Sequence, residues 1–251
     1  MAPPPDIAAE AEALRAALAR CTAERDAARA EMEDFFRAAS HDLRAPLRHL
    51  SAFGGLLRER VRDLGGDAEA LEFLGAMDDA VGQLGRMVDG LLELSRVGRA
   101  PLLLQPVDLG ALVTEACSAL EPACTGRTIR WELGPFASCT GDVALLRDLL
   151  GRLLSNAVKF TRHTPQTVIA VRAEPAGDRV QLQVRDNGAG FNPAQAGRLF
   201  GIFERLHSVS AFEGTGIGLA VVRRIAERHG GCVAADGAPQ AGCTVHVTLP
   251  A

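Results

Sequence analysis

Hydrophobic positions in the first hundred residues recur in steps of three and four. Between residues 8 and 39, Leu14, Leu18, Cys21, Ala28, Met32 and Phe35 mark a long helix with a weak heptad seam that Arg25 interrupts. A stronger seam follows, from Phe36 through Leu43, Leu47, Leu50, Gly54, Leu57 and Val61 to Leu64. Gly65, Gly66 and Asp67 break that helix, and a second amphipathic pattern runs through Leu71, Leu74, Val81, Leu84, Val88 and Leu91. Two helices joined by so short a turn form an antiparallel hairpin. A lone hairpin buries one face of each helix poorly, so the pattern predicts that two hairpins from two chains pair as a four-helix bundle; packing on the rest of its own chain is the rival arrangement.

The period changes beyond "SRVGRAPL" at 95–102, which reads as a linker. Asp108 caps a helix of about a dozen residues, "TIRWEL" reads as a strand, and 142–161 is a long helix. Apolar and polar residues then alternate in "TVIAVRAE" and "DRVQLQVRD", two strands joined by "PAG" as a hairpin. A Gly- and Pro-containing stretch, 187–215, precedes a helix over 217–229 and two closing strands, "GCVAAD" and "GCTVHVTL". The expected fold is therefore multidomain, α followed by α/β: an N-terminal helix over 1–34, the hairpin over 35–96, a linker over 97–101 and a layered α/β domain over 102–251. Its one long loop has the character of a functional lid.

Composition narrows the function classes. A net charge of −4 and a pI near 5.9 leave no basic stripe for a phosphate backbone, which argues against nucleic acid. No apolar run spans a bilayer, and the first residues lack a signal peptide's basic and apolar segments, so a cytoplasmic protein without membrane insertion is expected. The six cysteines show no C-x-x-C spacing and read as small buried hydrophobes. Of 27 basic residues only Lys159 is lysine, and Asn156, Asn187 and Asn192 are the only asparagines. An exception to so strong a preference for arginine marks a site that wants a compact point charge.

Three stretches carry chemistry. In "LLSNAVKFT", Asn156 and Lys159 share a helix face; an amide oxygen suits Mg²⁺, and an ammonium one turn away suits the phosphates that Mg²⁺ bridges. A solvated helix face would look the same. In "VRDNGAGF", Asp186 ends a strand before Gly188 and Gly190. A buried carboxylate needs a donor, which the adenine amine supplies, and the glycines would let the backbone approach a base; an ordinary capped turn is the alternative. In "EGTGIGLAVVRRI", Gly214, Gly216 and Gly218 open a helix whose free N–H groups welcome phosphate, although the spacing is neither a dinucleotide fingerprint nor a P-loop.

Taken in order, His41 in "SHDLRAPL", Asn156, Asp186 in "DNGAG", Phe200 and Phe203 in "LFGIFERLH", and "GTGIGL" resemble the H, N, first glycine, F and second glycine boxes of two-component sensor histidine kinases. The likeness covers about residues 35–250 and is nearest the phytochrome-type kinases. It implies a dimerisation and phosphoacceptor hairpin followed by the ATP-binding α/β sandwich shared with gyrase and Hsp90. The implied activity is ATP- and Mg²⁺-dependent autophosphorylation of His41 and transfer of the phosphoryl group to an aspartate of a response regulator receiver domain. Asp42 would be the general base or orienter and Asn156 the metal ligand. Lys159, Gly214, Thr215, Gly216, Gly218 and Leu219 would line the phosphate side, while Asp186, Gly188 and Gly190 would lie at the base. Arg205 is left with two roles, reaching the γ-phosphate or bracing the helical domain.

Two departures stand out. Arg152 replaces the asparagine usual four residues before Asn156, and Ala45 stands where many relatives carry Thr or Asn for phosphatase action. Phosphatase activity is therefore expected to be weak or absent. Pro46 removes its own N–H and frees the Asp42 carbonyl, weakening the helix one turn past His41. His49, His163, His207 and His246 show no partners in the sequence, and His229 reads as a helix C-terminal residue favoured by the dipole. The rival readings are a non-catalytic phosphotransfer or scaffold protein with a degenerate ATP domain, and a serine kinase of the anti-sigma-factor type. A separate sensor protein could feed the N-terminal helix.

Overall fold

The computed structural model describes residues 7–66, 68–99, 101–208 and 211–251. The N-terminal tip before Ile7, Asp67 of the expected helix break and Ala100 of the expected linker lie outside these. Helix α1 (Ile7–Asp63) is continuous through Pro46 and across residues 34 and 35. Its C-terminus closes on Gly65, whose positive φ suits a helix-ending residue, and on Gly66, where a Cβ would stand 2.8 Å from the Val61 carbonyl oxygen. Helix α2 (Ala68–Arg99) returns antiparallel along α1. Arg44 bonds Asp89, Arg58 bonds Asp78 and Arg99 bonds Asp34, so arginine–carboxylate pairs fix the register over the length of the hairpin.

Residues 97–99, expected as linker, are helical. Val97 is buried in the core of the following domain and the Arg228 guanidinium donates to its carbonyl at 2.6 Å, so tertiary packing carries α2 past the point where the sequence turns polar.

The α/β domain is a two-layer sandwich. Strand β1 (Gln105–Val107) pairs with β3 (Cys139–Gly141) in a small antiparallel sheet. The main sheet has the order β2-β4-β5-β7-β6, formed by β2 (Ile129–Phe136), β4 (Thr167–Ala176), β5 (Arg179–Asp186), β6 (Cys232–Gly237) and β7 (Cys243–Pro250). Only the β2–β4 pairing is parallel. The alternation read in the sequence puts Ile169, Val171, Leu182, Val184, Val247 and Leu249 on the inner face. Helices α3 (Leu109–Leu120), α4 (Val143–Phe160) and α5 (Gly218–Arg228) cover that face through residues such as Val113, Leu149, Leu150, Leu154, Val222 and Ile225. Among the described residues, no helix is long and apolar enough to cross a membrane.

His229 holds two of these helices in place. It is buried; its Nε2 accepts the Asp142 N–H at 2.9 Å and its Nδ1 donates to the Ile225 carbonyl at 2.8 Å. Its role is thus a cross-link between the start of α4 and the end of α5 rather than a dipole contact. Asp142 in turn caps α4 by accepting from Ala144 and Leu145, and also accepts the Leu103 N–H. His229→Ala should leave the Asp142 N–H unpaired beside a cavity and destabilise the domain by about 2–4 kcal/mol. His49→Ala, on an exposed face of α1, should change stability by under about 0.5 kcal/mol; urea unfolding of both variants checks the contrast.

Candidate functional site

Helix α4, the end of β5 and the start of α5 enclose a cavity of about 290 Å³. On α4, Arg152, Asn156, Lys159 and Phe160 fall on one side and line it. The Lys159 ammonium reaches the glycine loop, standing 3.3 Å from where a Cβ on Gly214 would be. Burial, with the neighbouring Arg205 and Arg162 charges, depresses Lys159 below the ordinary lysine value against the opposing pull of Glu213.

Asp186 lies buried at the cavity floor. Its carboxylate accepts the Gly188 N–H at 2.8 Å and is also bonded by the Cys243 backbone. Burial outweighs these two bonds and pushes its carboxyl up to about 6. Opposite, Gly214, Thr215, Gly216, Gly218 and Leu219 form the wall where α5 begins. Gly216 has φ +74° and would carry a Cβ 2.7 Å from the Glu204 carbonyl oxygen, so this turn requires glycine.

The described residues of the loop from 187 to 217 cover one side of the cavity. Phe160, His207 and Phe212 form an aromatic cluster with ring centroids 5.0–5.5 Å apart, and His207 Nε2 donates to the Gly190 carbonyl at 2.9 Å. Arg205 lines the cavity while its guanidinium donates to the Phe212 carbonyl at 2.6 Å, bracing the loop on itself. Phe200 is buried in the core, whereas Phe203 is exposed.

The structure therefore gathers Asn156, Lys159, Asp186, Gly190, Arg205, Gly214, Thr215, Gly216, Gly218 and Leu219 around one cavity. Gly188 is not on its wall. A Cβ there would meet the Phe160 carbonyl oxygen at 2.4 Å, so close packing of the chain on α4 requires glycine here. His41 and Asp42 lie on the hairpin outside the cavity, side by side and 86% and 82% exposed, with Nδ1 to Oδ1 3.3 Å.

Several participants were not legible in the sequence. Cys243 lines the cavity because β7 registers it opposite Asp186, a pairing that only the folded sheet reveals. Of the six cysteines, all free, Cys21 and Cys232 are exposed and only Cys139 is buried, so the reading of all six as buried hydrophobes fails. His207 and His246 also have partners, the latter with Nε2 3.1 Å from Asp236.

The family model for histidine kinase-, DNA gyrase B- and HSP90-like ATPases matches residues 141–251, and that for the His Kinase A (phospho-acceptor) domain matches residues 31–100. The chain belongs to the histidine kinase family. This kinase core is 36% identical to the methanogenesis regulatory histidine kinase FilI of Methanothrix harundinacea over 90% of its own length and 25% of that protein. It is 32% identical to cyanobacterial phytochrome A of Nostoc sp. over 93% of itself and 30% of the relative. The chain thus spans between a quarter and a third of these relatives. Among solved structures, full-length ShkA in complex with AMPPNP aligns with a TM-score of 0.60 at 27% identity, over 86% of this chain and 45% of that one. The nucleotide-binding sandwich and the phosphoacceptor hairpin of the family are both present.

The raised carboxyl of Asp186 makes this kinase core's stability depend on pH. Between the ordinary carboxylate value and about 6, the folded state holds a proton that the unfolded state has released, so Asp186's contribution to stability falls as pH rises through that window. Relative to Asp186→Asn, the parent should lose about 2–3 kcal/mol between pH 4 and pH 7.5. Denaturant titrations of both proteins at the two pH values check this.

Proposed function

We propose that this kinase core binds ATP in the cavity, phosphorylates His41 and passes the phosphoryl group to an aspartate of a response regulator receiver domain. The observation that carries this reading is the cavity itself, with a buried carboxylate at one end and the chain's single lysine against a glycine loop at the other. A carboxylate suits the amine of adenine and repels the carbonyl of guanine. An ammonium beside free helix N–H groups suits phosphate.

Asn156 faces the cavity, and the described residues contain no cluster of His, Cys, Asp or Glu able to cage a metal. One amide oxygen fits Mg²⁺, which takes few protein ligands and completes its shell with phosphates and water. The cationic Arg152 one turn earlier leaves Asn156 as the protein ligand on this helix. When bound, the ion neutralises charge developing on the phosphates.

At the acceptor, Asp42 holds the Nδ1–H of His41 and so fixes the tautomer that leaves Nε2 free. Nε2 attacks the γ-phosphorus in line; the new N–P bond forms as the bond from phosphorus to the bridging oxygen of ADP breaks. The imidazolium that develops is stabilised by Asp42, which can take its Nδ1 proton. High exposure lets His41 be reached first by the nucleotide domain and then by a receiver aspartate.

The hairpin's apolar surface supports a homodimer. Leu43, Leu50, Leu57 and Leu64 recur at seven-residue intervals and are 48–69% exposed, beside exposed Phe73, Met77 and Leu84 on α2. A second hairpin covering this face completes a four-helix bundle.

With γ-labelled ATP and Mg²⁺, the parent should acquire acid-labile label and His41→Gln should stay at background; equal labelling would remove His41 as acceptor. Leu50→Glu combined with Leu57→Glu should convert the protein from dimer to monomer in sedimentation equilibrium at micromolar concentration. An unchanged mass would take this seam out of the interface.

A further inference from the structure

Arg152 stands where two spaces meet. It lines the nucleotide cavity, and it also lines a second cleft of about 530 Å³ between the α/β domain and the hairpin. That cleft is bounded by Arg44, Glu93 and Arg96 on the hairpin side and by Thr215 and Gly218 of the glycine loop on the other. The Arg152 Nη2 bonds Glu93 of α2, while its Nε donates to Asp148 at 2.9 Å. A cation one turn before Asn156, on the face that meets the nucleotide, is thus shared between Asp148 of its own helix and a carboxylate belonging to the other domain.

A second contact lies one turn away on α2. Gly90 is buried under Ile217, the residue between Gly216 and Gly218, and a Cβ at Gly90 would come within 2.1 Å of the Ile217 Cδ1. Both sides of the nucleotide cavity, α4 through Arg152 and the glycine loop through Ile217, therefore rest on the same turn of α2. Packing of Ile217 is indifferent to charge. The Arg152–Glu93 pair is not, because a triphosphate entering beside Asn156 and Lys159 competes with Glu93 for the guanidinium, and phosphate oxygens match its fork as well as a carboxylate does.

We propose that Arg152 is a positioning residue that couples nucleotide occupancy to domain docking, its guanidinium exchanging Glu93 of the hairpin for the phosphates of ATP and so loosening the contact of the α/β domain with α2. The inference rests on the cavity being an ATP site. Linkage sets its sign: if ATP weakens the Arg152–Glu93 contact, removing Glu93 strengthens ATP binding by the same factor. Arginine at this position trades a neutral amide for a charge that both the hairpin and the nucleotide can claim.

The experiment measures ATP affinity by calorimetry without and with Mg²⁺, and hydrogen exchange of α2 residues 86–97 with and without ATP, in the full chain. Glu93→Gln should bind ATP about three- to tenfold more tightly and should show high exchange in α2 before nucleotide is added. Arg152→Gln should bind ATP about tenfold more weakly while also loosening α2, and Arg152→Lys should recover part of the affinity. The reversed pair Glu93→Arg with Arg152→Glu should restore protection of α2 without restoring affinity. A purely structural contact would loosen α2 in Glu93→Gln and leave ATP affinity unchanged, which overturns the exchange alone. ATP binding by the parent with no change in α2 exchange also overturns it, and failure of the parent to bind ATP overturns the site reading with it.

Discussion

The hydrogen-bonded knot at Asp142 and His229 is the constraint on which the site's geometry depends. One carboxylate receives the first amides of α4 and the Leu103 amide, while the same residue's N–H is held by an imidazole anchored to the last turn of α5. Burial alone would raise the Asp142 carboxyl, but the amides of Leu103, Leu145 and Ala144, with His229 nearby, hold it below the ordinary carboxylate value. The consequence reaches the cavity. Helix α4 presents Asn156 and Lys159, and α5 begins at the glycine loop, so fixing the far ends of both helices on a common point sets the separation of the two walls. The fully buried leucines of α4 then hold that separation by packing.

Charge is distributed with the same economy. The arginines form planar, directional pairs with carboxylates along the hairpin and within the α/β domain, as Arg44 does with Asp89 and Arg147 with Glu115. Lys159 is used differently. Its ammonium lies 4.4 Å from the Phe160 ring centroid and close to Gly214, with Glu213 contributing only a longer-range attraction while bonded to Arg162. A compact, partly desolvated cation with uncommitted donors is what an incoming phosphate can use, whereas a guanidinium already forked onto a carboxylate must first be released.

Much of this was legible in the sequence, for a physical reason. The hairpin, the amphipathic α4 and the alternating strands each have one buried face, and a buried face imposes a period that survives without structure. The scarcity of lysine and asparagine pointed to two residues that do line the cavity. What escaped depends on register and on contacts between distant segments. Cys243 meets Asp186 only because β7 pairs with β5 in one register; His229 reads as a helix-end residue until Asp142, 87 positions away, supplies its partner. Residues 97–99 read as linker because their polarity masks one buried valine. Gly188 shows a different ambiguity: glycine signals close approach, but the sequence does not say whether a ligand or the chain itself approaches.

Helix geometry explains how one helix can serve a partner helix, an open seam and an exposed acceptor at once. At 3.6 residues per turn, Leu43, Leu50 and Leu57 lie about 160–200° around α1 from His41. Ser40 and Arg44 lie about 60–100° to one side of it, the side facing α2. Accordingly Ser40 is fully buried and Arg44 reaches Asp89, while the leucines are exposed on the far side. Among the described residues Ser40 Oγ has no hydrogen-bond partner, a cost of about 1–3 kcal/mol, and the small side chain lets α2 approach closely just before the acceptor. Burial of the leucine seam by a second hairpin therefore leaves His41 and Asp42 on the outer surface, pointing away from the contact. The heptad that drives assembly and the exposure that chemistry requires are separated by half a helical turn, so neither limits the other.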